Sequence, residues 1–387
     1  MFVYSILVCY NKLGDFMDAV GIVCEYNPFH NGHKYQIDKI KEMFPDDVII
    51  ACISSSFCER GEVSILNKWD KTKIALENGI DIVIELPFVF SSQSADIFSF
   101  GALKILNNMG IKKLVFGSES NDLDTIKKIA NLQVNNKSFD SLVKLEIDKG
   151  INYPTALSNV IKKHTNYKID SPNDLLAISY VKEIIKNNYD IEPVAIKRTN
   201  NYHDKSYNTD IISASAVREL INEEKDISKY VPWDTKKYVI YKPDVFKLLK
   251  YKIISDKERL NSYQTVDEGI EGRIIKNING ANSLEELISL VKTKRYTYNK
   301  INRMFIHILT SFTKEEAKDL DVNYIRVLGL NNSGKKYLKS INANIITGYK
   351  NNNYKELAIE KRVTNIYSLI VNDNSLIKKE VEKPIIF

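Results

Sequence analysis

The sequence predicts an α/β fold, a doubly wound parallel sheet followed by a mainly helical C-terminal domain, and three observations predict it. Apolar runs of strand length alternate with longer helical patterns through the first two hundred residues. The runs are continuous in Val and Ile rather than alternating with polar residues, which marks strands buried on both faces. After Val231-Pro232-Trp233 such runs give way to helical patterns. A chain of 387 residues, 44% apolar and 27% charged, has the length of two or three domains and can bury a proper core.

Each element follows from its own stretch. AVGIVCE is a strand before the helical HKYQIDKIKEMF; VIIACIS precedes NKWDKTKIALENG; IDIVIELP precedes SADIFSFGALKILNNMG; KKLVFG precedes a helical stretch. From Leu123 to Asn187 the segments LDTIKKIANL, SFDSLVKLEIDKG, YPTALSNVIKKH and SPNDLLAISYVKEIIKN read as helices, the last started by Ser171-Pro172-Asn173. IEPVAIK is a strand leading to Lys197-Arg198, and SASAVRELINEEK is a helix entered through serines. YKPDVFKLLKYKII, SLEELISLVK and NKINRMFIHILTSF are helices of the second part. The expected division is residues 17–225 for the sheet domain and 226–387 for the helical one.

Met17 stands just before AVGIVCE, so residues 1–16 read as an N-terminal extension, with an added edge strand as the alternative. MFVYSILVCY has no basic residues ahead of its apolar run, no small-residue cleavage site and too little length to span a bilayer, so no membrane partner is expected. Cys9, Cys24, Cys52 and Cys58 include no C-x-x-C pair and suit a reducing cytoplasm. Charge is divided unevenly: residues 1–225 carry 26 Lys+Arg against 30 Asp+Glu, a net of −4, and residues 226–387 carry 29 against 19, a net of +10. The basic excess fits either a solvated lysine-rich surface or a polyanionic partner.

Two of the five histidines, His30 and His33, fall in CEYNPFHNGHKYQ, between the first strand and the first helix. In doubly wound sheets ligands bind beyond the carboxyl ends of the strands. Pro28 and Gly32 shape a tight turn, Gly32 lets backbone approach a ligand, and the helix start favours phosphate. Imidazoles at i and i+3 can donate to phosphoryl oxygens as charge builds on them. An isolated H-x-x-H would more simply cap the helix, and it lacks the i, i+4 spacing of a helical metal site, so no metal-ligating residue is assigned.

These residues carry a resemblance. Val20 to about Arg218 resembles the H-x-G-H nucleotidyltransferase superfamily, which binds ATP in a Rossmann-like domain. The chain from Met17 onward is similar to the bacterial tRNA(Met) cytidine acetate ligase family through GIVCEYNPFHNGH, SFCERGE, NKWDKTKIALENGIDIVIELP, SADIFSFGA, FGSE, YPTALS, SPNDLLAISY, IKR, SASAVR and YIRVLGLN. The loop SSSFCERGEVS departs from that family, with Ser55-Ser56 in place of Gly-Asn and Glu59 in place of Gln.

The resemblance implies activation of acetate by ATP to acetyl-adenylate with release of pyrophosphate. The acetyl group then passes to N4 of the wobble cytidine of elongator tRNA(Met), leaving N4-acetylcytidine and AMP. It also implies an ATP site formed by Val23, Cys24, Glu25, Tyr26, Asn27, Pro28, Phe29, His30, Asn31, Gly32, His33, Lys34, Tyr35 and Gln36, completed by Gly117, Asn173 and Arg198. His30, His33, Ser213 and Arg218 would act on the phosphates, with Mg²⁺ held chiefly by phosphate and water. Gly117 ends a buried strand, where it either leaves room for a nucleotide or only ends the strand. Arg198 can fork onto phosphate oxygens or form a surface ion pair, Asn173 is equally a helix-start residue, and Ser213 equally an N-cap.

In the C-terminal part, Lys292, Lys294, Arg295, Lys300, Arg303, Lys335 and Lys336 are interleaved with Tyr296, Tyr298 and Tyr337, a pattern suited to RNA backbone and unstacked bases. Two alternatives stand beside this reading: an adenylyltransferase acting on a small phosphate ester, and a non-catalytic, nucleotide-responsive RNA-binding protein. The absence of a K-M-S-K-like loop argues against a class I aminoacyl-tRNA synthetase.

Overall fold

The computed structural model describes residues 17–165, 167, 171–198, 209–350 and 352–387; the expected extension over residues 1–16 and His203 lie outside these described residues. The first part runs β1 (Ala19–Cys24), α1 (Asn31–Met43), β2 (Val48–Ser54), α2 (Lys68–Glu77), β3 (Ile82–Leu86), α3 (Phe88–Ser91), α4 (Ala95–Asn108) and β4 (Lys113–Ser118). It continues through α5 (Leu123–Asn135), α6 (Phe139–Ile147), α7 (Tyr153–Thr165), α8 (Pro172–Asn187), β5 (Glu192–Lys197) and α9 (Ala214–Asn222).

The strands lie in the order β5-β4-β1-β2-β3, all parallel. Every residue of β2 and β3 is buried, as the unbroken apolar runs require. Val20, Ile22 and Ile49 pack with Ile37, Ile74 and Val217 on one face. Ala19, Ile50 and Cys52 pack with Phe98, Leu103 and Ile126 on the other. Connections run from β1 toward β3 on one side and to β4 on the other, so the order reverses between β1 and β4. That reversal is where a doubly wound sheet opens a crevice.

The second part contributes α10 (Phe246–Ser255), α11 (Ile270–Ile278), α12 (Leu284–Val291), α13 (Tyr298–Leu309), β6 (Ile325–Leu330) and α14 (Asn332–Leu338). β7 (Ile345–Ile346), α15 (Lys355–Val371), α16 (Ser375–Lys379) and β8 (Ile385–Ile386) complete the chain. Reading residues 226–387 as one mainly helical unit misses part of this arrangement. β6 joins the central sheet antiparallel to β3, and β7 and β8 add to β6. IRVLGL is as continuously buried as the earlier strands.

A buried ionic cluster fastens this return. Lys68 on α2 meets Glu85 at 2.6 Å, Glu380 at 2.8 Å and Glu360 at 3.3 Å. Arg326 on β6 meets Glu85 at 3.1 Å and Glu380 at 2.5 Å. Burial, then the neighbouring Glu85, pushes the Glu360 carboxyl up to about 7, and Ser55 Oγ donates to it at 2.6 Å. Such a cluster sets geometry more than it adds stability, but leaving one of its charges unpaired is costly.

Candidate active site

The segments that follow the carboxyl ends of the parallel strands surround a cleft of about 770 Å³. His30 and His33 line it beside Glu59 and Glu62, Gln93, Gly117, Arg198, and Ser213 with Arg218.

The His30 side chain is the N-cap of α1. Its Nδ1 accepts from Gly32 N–H at 3.0 Å, and His33 Nδ1 accepts from His30 N–H at 3.2 Å. The capping role and the ligand role are therefore both available to the same rings. A neutral imidazole whose Nδ1 accepts carries its proton on Nε2. Burial, then Arg198 and Arg218, lowers His30 to about 3; burial, then His30 and Arg198, holds His33 well below its ordinary value. The two rings lie with centroids 3.9 Å apart and planes tilted by 31°, and with Nδ1 accepting in each their Nε2 atoms carry the protons.

Both glycines line the cleft or its branch, and both also leave room for a neighbouring side chain. A Cβ on Gly32 would lie 2.7 Å from His30 Cε1 and 2.9 Å from its Nδ1, breaking the cap. A Cβ on Gly117 would lie 3.3 Å from Arg198 Cγ, so the space the glycine leaves is filled by Arg198. Arg198 lines the cleft, and its buried Nε lacks a partner among the described residues. Burial lowers its pKa and Glu119 opposes that.

The other expected residues divide by role. Val23, Cys24, Glu25, Tyr26, Asn27 and Gln36 line the cleft, and Gly32 and Tyr35 line its narrow branch beside Ser213. Pro28 and Phe29 are buried in packing. Asn31 fastens the turn: its Nδ2 donates to Asp210 O at 2.7 Å and to Lys229 O at 2.9 Å. Lys34 pairs with Asp38 one turn along α1. Asn173 lines the cleft and donates to Glu119.

Ser213 caps α9 by accepting from Ala216 N–H at 3.2 Å, and Ala214 and Ser215 bring the start of that helix to the cleft. Arg218 donates to Asn27 O at 2.7 Å and pairs with Glu62 at 2.7 Å, so it braces the turn as well as lining the site.

Three supports escape the motif reading. Asp174 accepts from Ser118 Oγ at 2.5 Å, from Glu119 and Ser120 N–H at 3.1 Å each, and from Ser171 Oγ at 2.7 Å, closing the loop after β4. Its position three residues after Ser171 is a capping signal that could have identified it. Lys71, fully buried, donates to the carbonyls of Glu25 at 2.9 Å, Ser54 at 3.1 Å and Ser55 at 2.9 Å, tying the end of β2 to the residue after β1. No local pattern reveals it.

The third support is Glu59, whose N–H donates to Glu25 at 2.6 Å and whose carboxylate pairs with Arg303 at 2.9 Å. Gly61, at φ +74, packs so closely on α13 that a Cβ would lie 2.4 Å from Arg303 N. The variant loop is thus clamped to the basic helix.

Arg295, Lys300 and Arg303 line the cleft, with Lys292 and Lys294 exposed on the segment before α13. Lys300 Nζ sits 4.1 Å from the Tyr296 ring centroid. Lys335 and Lys336 are elsewhere. Their helix α14 is pinned to the opening ends of the strands by Asn331 N–H to Asp81 O at 3.0 Å and by Tyr337 OH to Met109 O at 2.7 Å. They therefore sit at the opposite edge of the sheet from the cleft.

The family model described as HIGH Nucleotidyl Transferase matches residues 17–382. The chain is 38% identical to the tRNA(Met) cytidine acetate ligase of Caldicellulosiruptor saccharolyticus over 91% of this chain and 94% of that one. It is 37% identical to the enzyme of that name from Oceanobacillus iheyensis over 96% and 100%. Among solved structures, apo Thermotoga maritima TmcAL superposes with a TM-score of 0.86 at 25% identity, covering 96% of this chain and 100% of that one. The same Thermotoga protein bound with alpha-thio ATP gives 0.84 at 26% identity, covering 96% and 99%. With the nucleotidyltransferase turn, its sheet and its basic flank in place, the chain belongs to the tRNA(Met) cytidine acetate ligase family, within the HIGH Nucleotidyl Transferases.

Proposed function

We propose that this chain activates acetate with ATP and transfers the acetyl group to N4 of the wobble cytidine of elongator tRNA(Met). The observation that carries the reading is the cleft itself. Two neutral histidines, each with Nδ1 engaged at the helix start, face the same space as Arg198, whose buried Nε lacks a partner among the described residues, and that space continues to Arg295, Lys300 and Arg303.

In the first step an acetate oxygen attacks the α-phosphorus and the bond to pyrophosphate breaks. His30 and His33 donate to the non-bridging oxygens as their charge grows, and Arg198 neutralises it. Pyrophosphate departs toward Ser213 and the first N–H groups of α9. In the second step the cytidine N4 attacks the acetyl carbonyl, the carbonyl–oxygen bond to AMP breaks, and the N4 proton passes to solvent. The side chains hold both reactants in line, which supplies much of the acceleration.

Among the described residues no group of three or more His, Cys, Asp or Glu is placed to hold a metal ion, and we assign Mg²⁺ to the triphosphate oxygens and water. No described helix is long and apolar enough to cross a membrane. The cytoplasm, where uncharged tRNA and ATP meet, is the proposed location. Lys292, Lys294, Arg295, Lys300 and Arg303 would grip the anticodon arm through its phosphates, and the exposed loop base would enter the cleft.

The test is transfer of labelled acetate to elongator tRNA(Met) carrying cytidine or uridine at the wobble position. Label that requires ATP and the cytidine supports the reading. Label independent of that base contradicts it.

A further inference from the structure

Gln93 is a buried polar residue of the cleft that the two steps above leave without a task. It is 1% exposed, it lines the same space as His33 and Arg303, and its Nε2 has no hydrogen-bond partner among the described residues. A buried donor left unpaired is unfavourable, so a ligand group that accepts from it is favoured there.

Its place is held from both sides. His307 Nε2 meets the carbonyl of the preceding Ser92 at 2.7 Å, and Ser91 Oγ donates to Phe57 O at 3.3 Å. His307 Nδ1 lies 3.1 Å from Gln264 O, on a segment that also lines the cleft. Gln93 follows β3, whereas Arg198 follows β5 at the other end of the parallel order. The amide therefore enters the cleft from the end of the parallel order opposite to Arg198, and it shares that cleft with Lys300 and Arg303 of α13.

We infer that Gln93 is a specificity-determining residue that recognises the acceptor base, donating its amide N–H to the N3 and O2 edge of cytosine beside the reacting N4. The inference rests on the proposed ligase reading. Cytosine presents acceptors at both positions, whereas uracil presents an N–H donor at N3. A fixed, buried donor is satisfied by cytosine and opposed by uracil, a mismatch that hydrogen-bond readout of bases turns into about tenfold to hundredfold discrimination.

The experiment uses the full chain and three readouts: acetate-dependent exchange of pyrophosphate into ATP, acetate transfer to elongator tRNA(Met), and inhibition of that transfer by the same tRNA with a wobble uridine. Gln93→Leu is expected to keep exchange, to lose transfer by about tenfold or more, and to raise the uridine tRNA to the affinity of the cytidine tRNA. Gln93→Glu, whose carboxylate accepts from uracil N3–H, is expected to bind the uridine tRNA more tightly than the unmodified protein does.

Unchanged transfer and unchanged base preference in Gln93→Leu would overturn the inference. So would loss of exchange together with transfer in both variants, since that is the mark of a structural residue. If the unmodified protein shows no acetate-dependent exchange, the ligase reading itself fails and the base-recognition role falls with it, a failure visible before any variant is compared.

Discussion

His30 and His33 exchange roles across one turn of helix: His33 Nδ1 accepts the His30 N–H at 3.2 Å while His30 Nδ1 accepts from Gly32 at 3.0 Å. This fixes both tautomers before any ligand arrives. Removing one ring should cost a transition-state donor, about 10²–10³ in rate. His33→Ala is expected to lose that much acetate-dependent exchange while keeping its affinity for tRNA, measured by filter binding; equal loss of both would contradict the assigned role.

Gly32→Ala tests the same arrangement without touching an imidazole. The added methyl would lie 2.9 Å from His30 Nδ1, so the ring must leave its cap. Loss of an N-cap costs about 1 kcal/mol of stability. Exchange activity should fall by more than that loss of stability explains, and a denaturation midpoint measured on the same sample separates the two effects.

Charge reversal on the two basic groups should give opposite results. Lys294→Glu with Arg295→Glu is expected to weaken tRNA binding and to lower the slope of log affinity against log salt by about one per cation lost. Lys335→Glu with Lys336→Glu, at the far edge of the sheet, is expected to leave both the affinity and the slope unchanged.

Acid should destabilise the fold through its buried imidazoles. His307 is held at about 4 by burial, partly offset by its hydrogen bonds to Ser92 and Gln264, and His30 at about 3. In the unfolded chain both regain ordinary values near 6.5, so between about 6.5 and 4 the unfolded state binds more protons. Stability is therefore present above about 6.5 and is lost as pH falls through that window. His307→Gln should flatten this part of the profile, read as urea midpoints at several pH values.

The buried cluster predicts a large effect far from the chemistry. Lys68→Met removes one of the two cations that Glu85 and Glu380 meet in the cluster and leaves them with Arg326, and breaking a buried pair in this way costs about 3–5 kcal/mol. Thermal unfolding should show a lowered Tm.

Much of this architecture was legible in the residues because its strands are buried on both faces, which leaves short, unbroken runs rich in β-branched Val and Ile between longer helical patterns. The histidine turn was legible because a strand, a proline-shaped turn and a helix start coincide there. IRVLGL carries the same buried-strand pattern, yet its distance from the sheet in sequence hides that it pairs with β3. Lys71 and Arg326 were hidden for a related reason, since a lysine or arginine in isolation reads as surface and only tertiary partners reveal burial. Lys335 and Lys336 show the converse: their charge resembles that of Lys292 to Arg303, and only the placement of α14 separates them from the cleft.

The most direct test of acetate activation in this cleft is exchange of labelled pyrophosphate into ATP by the purified protein, with and without acetate. Exchange that depends on acetate, and that falls about 10²-fold or more in His33→Ala, is the result this account predicts. Exchange that ignores acetate, or that His33→Ala leaves intact, would contradict it.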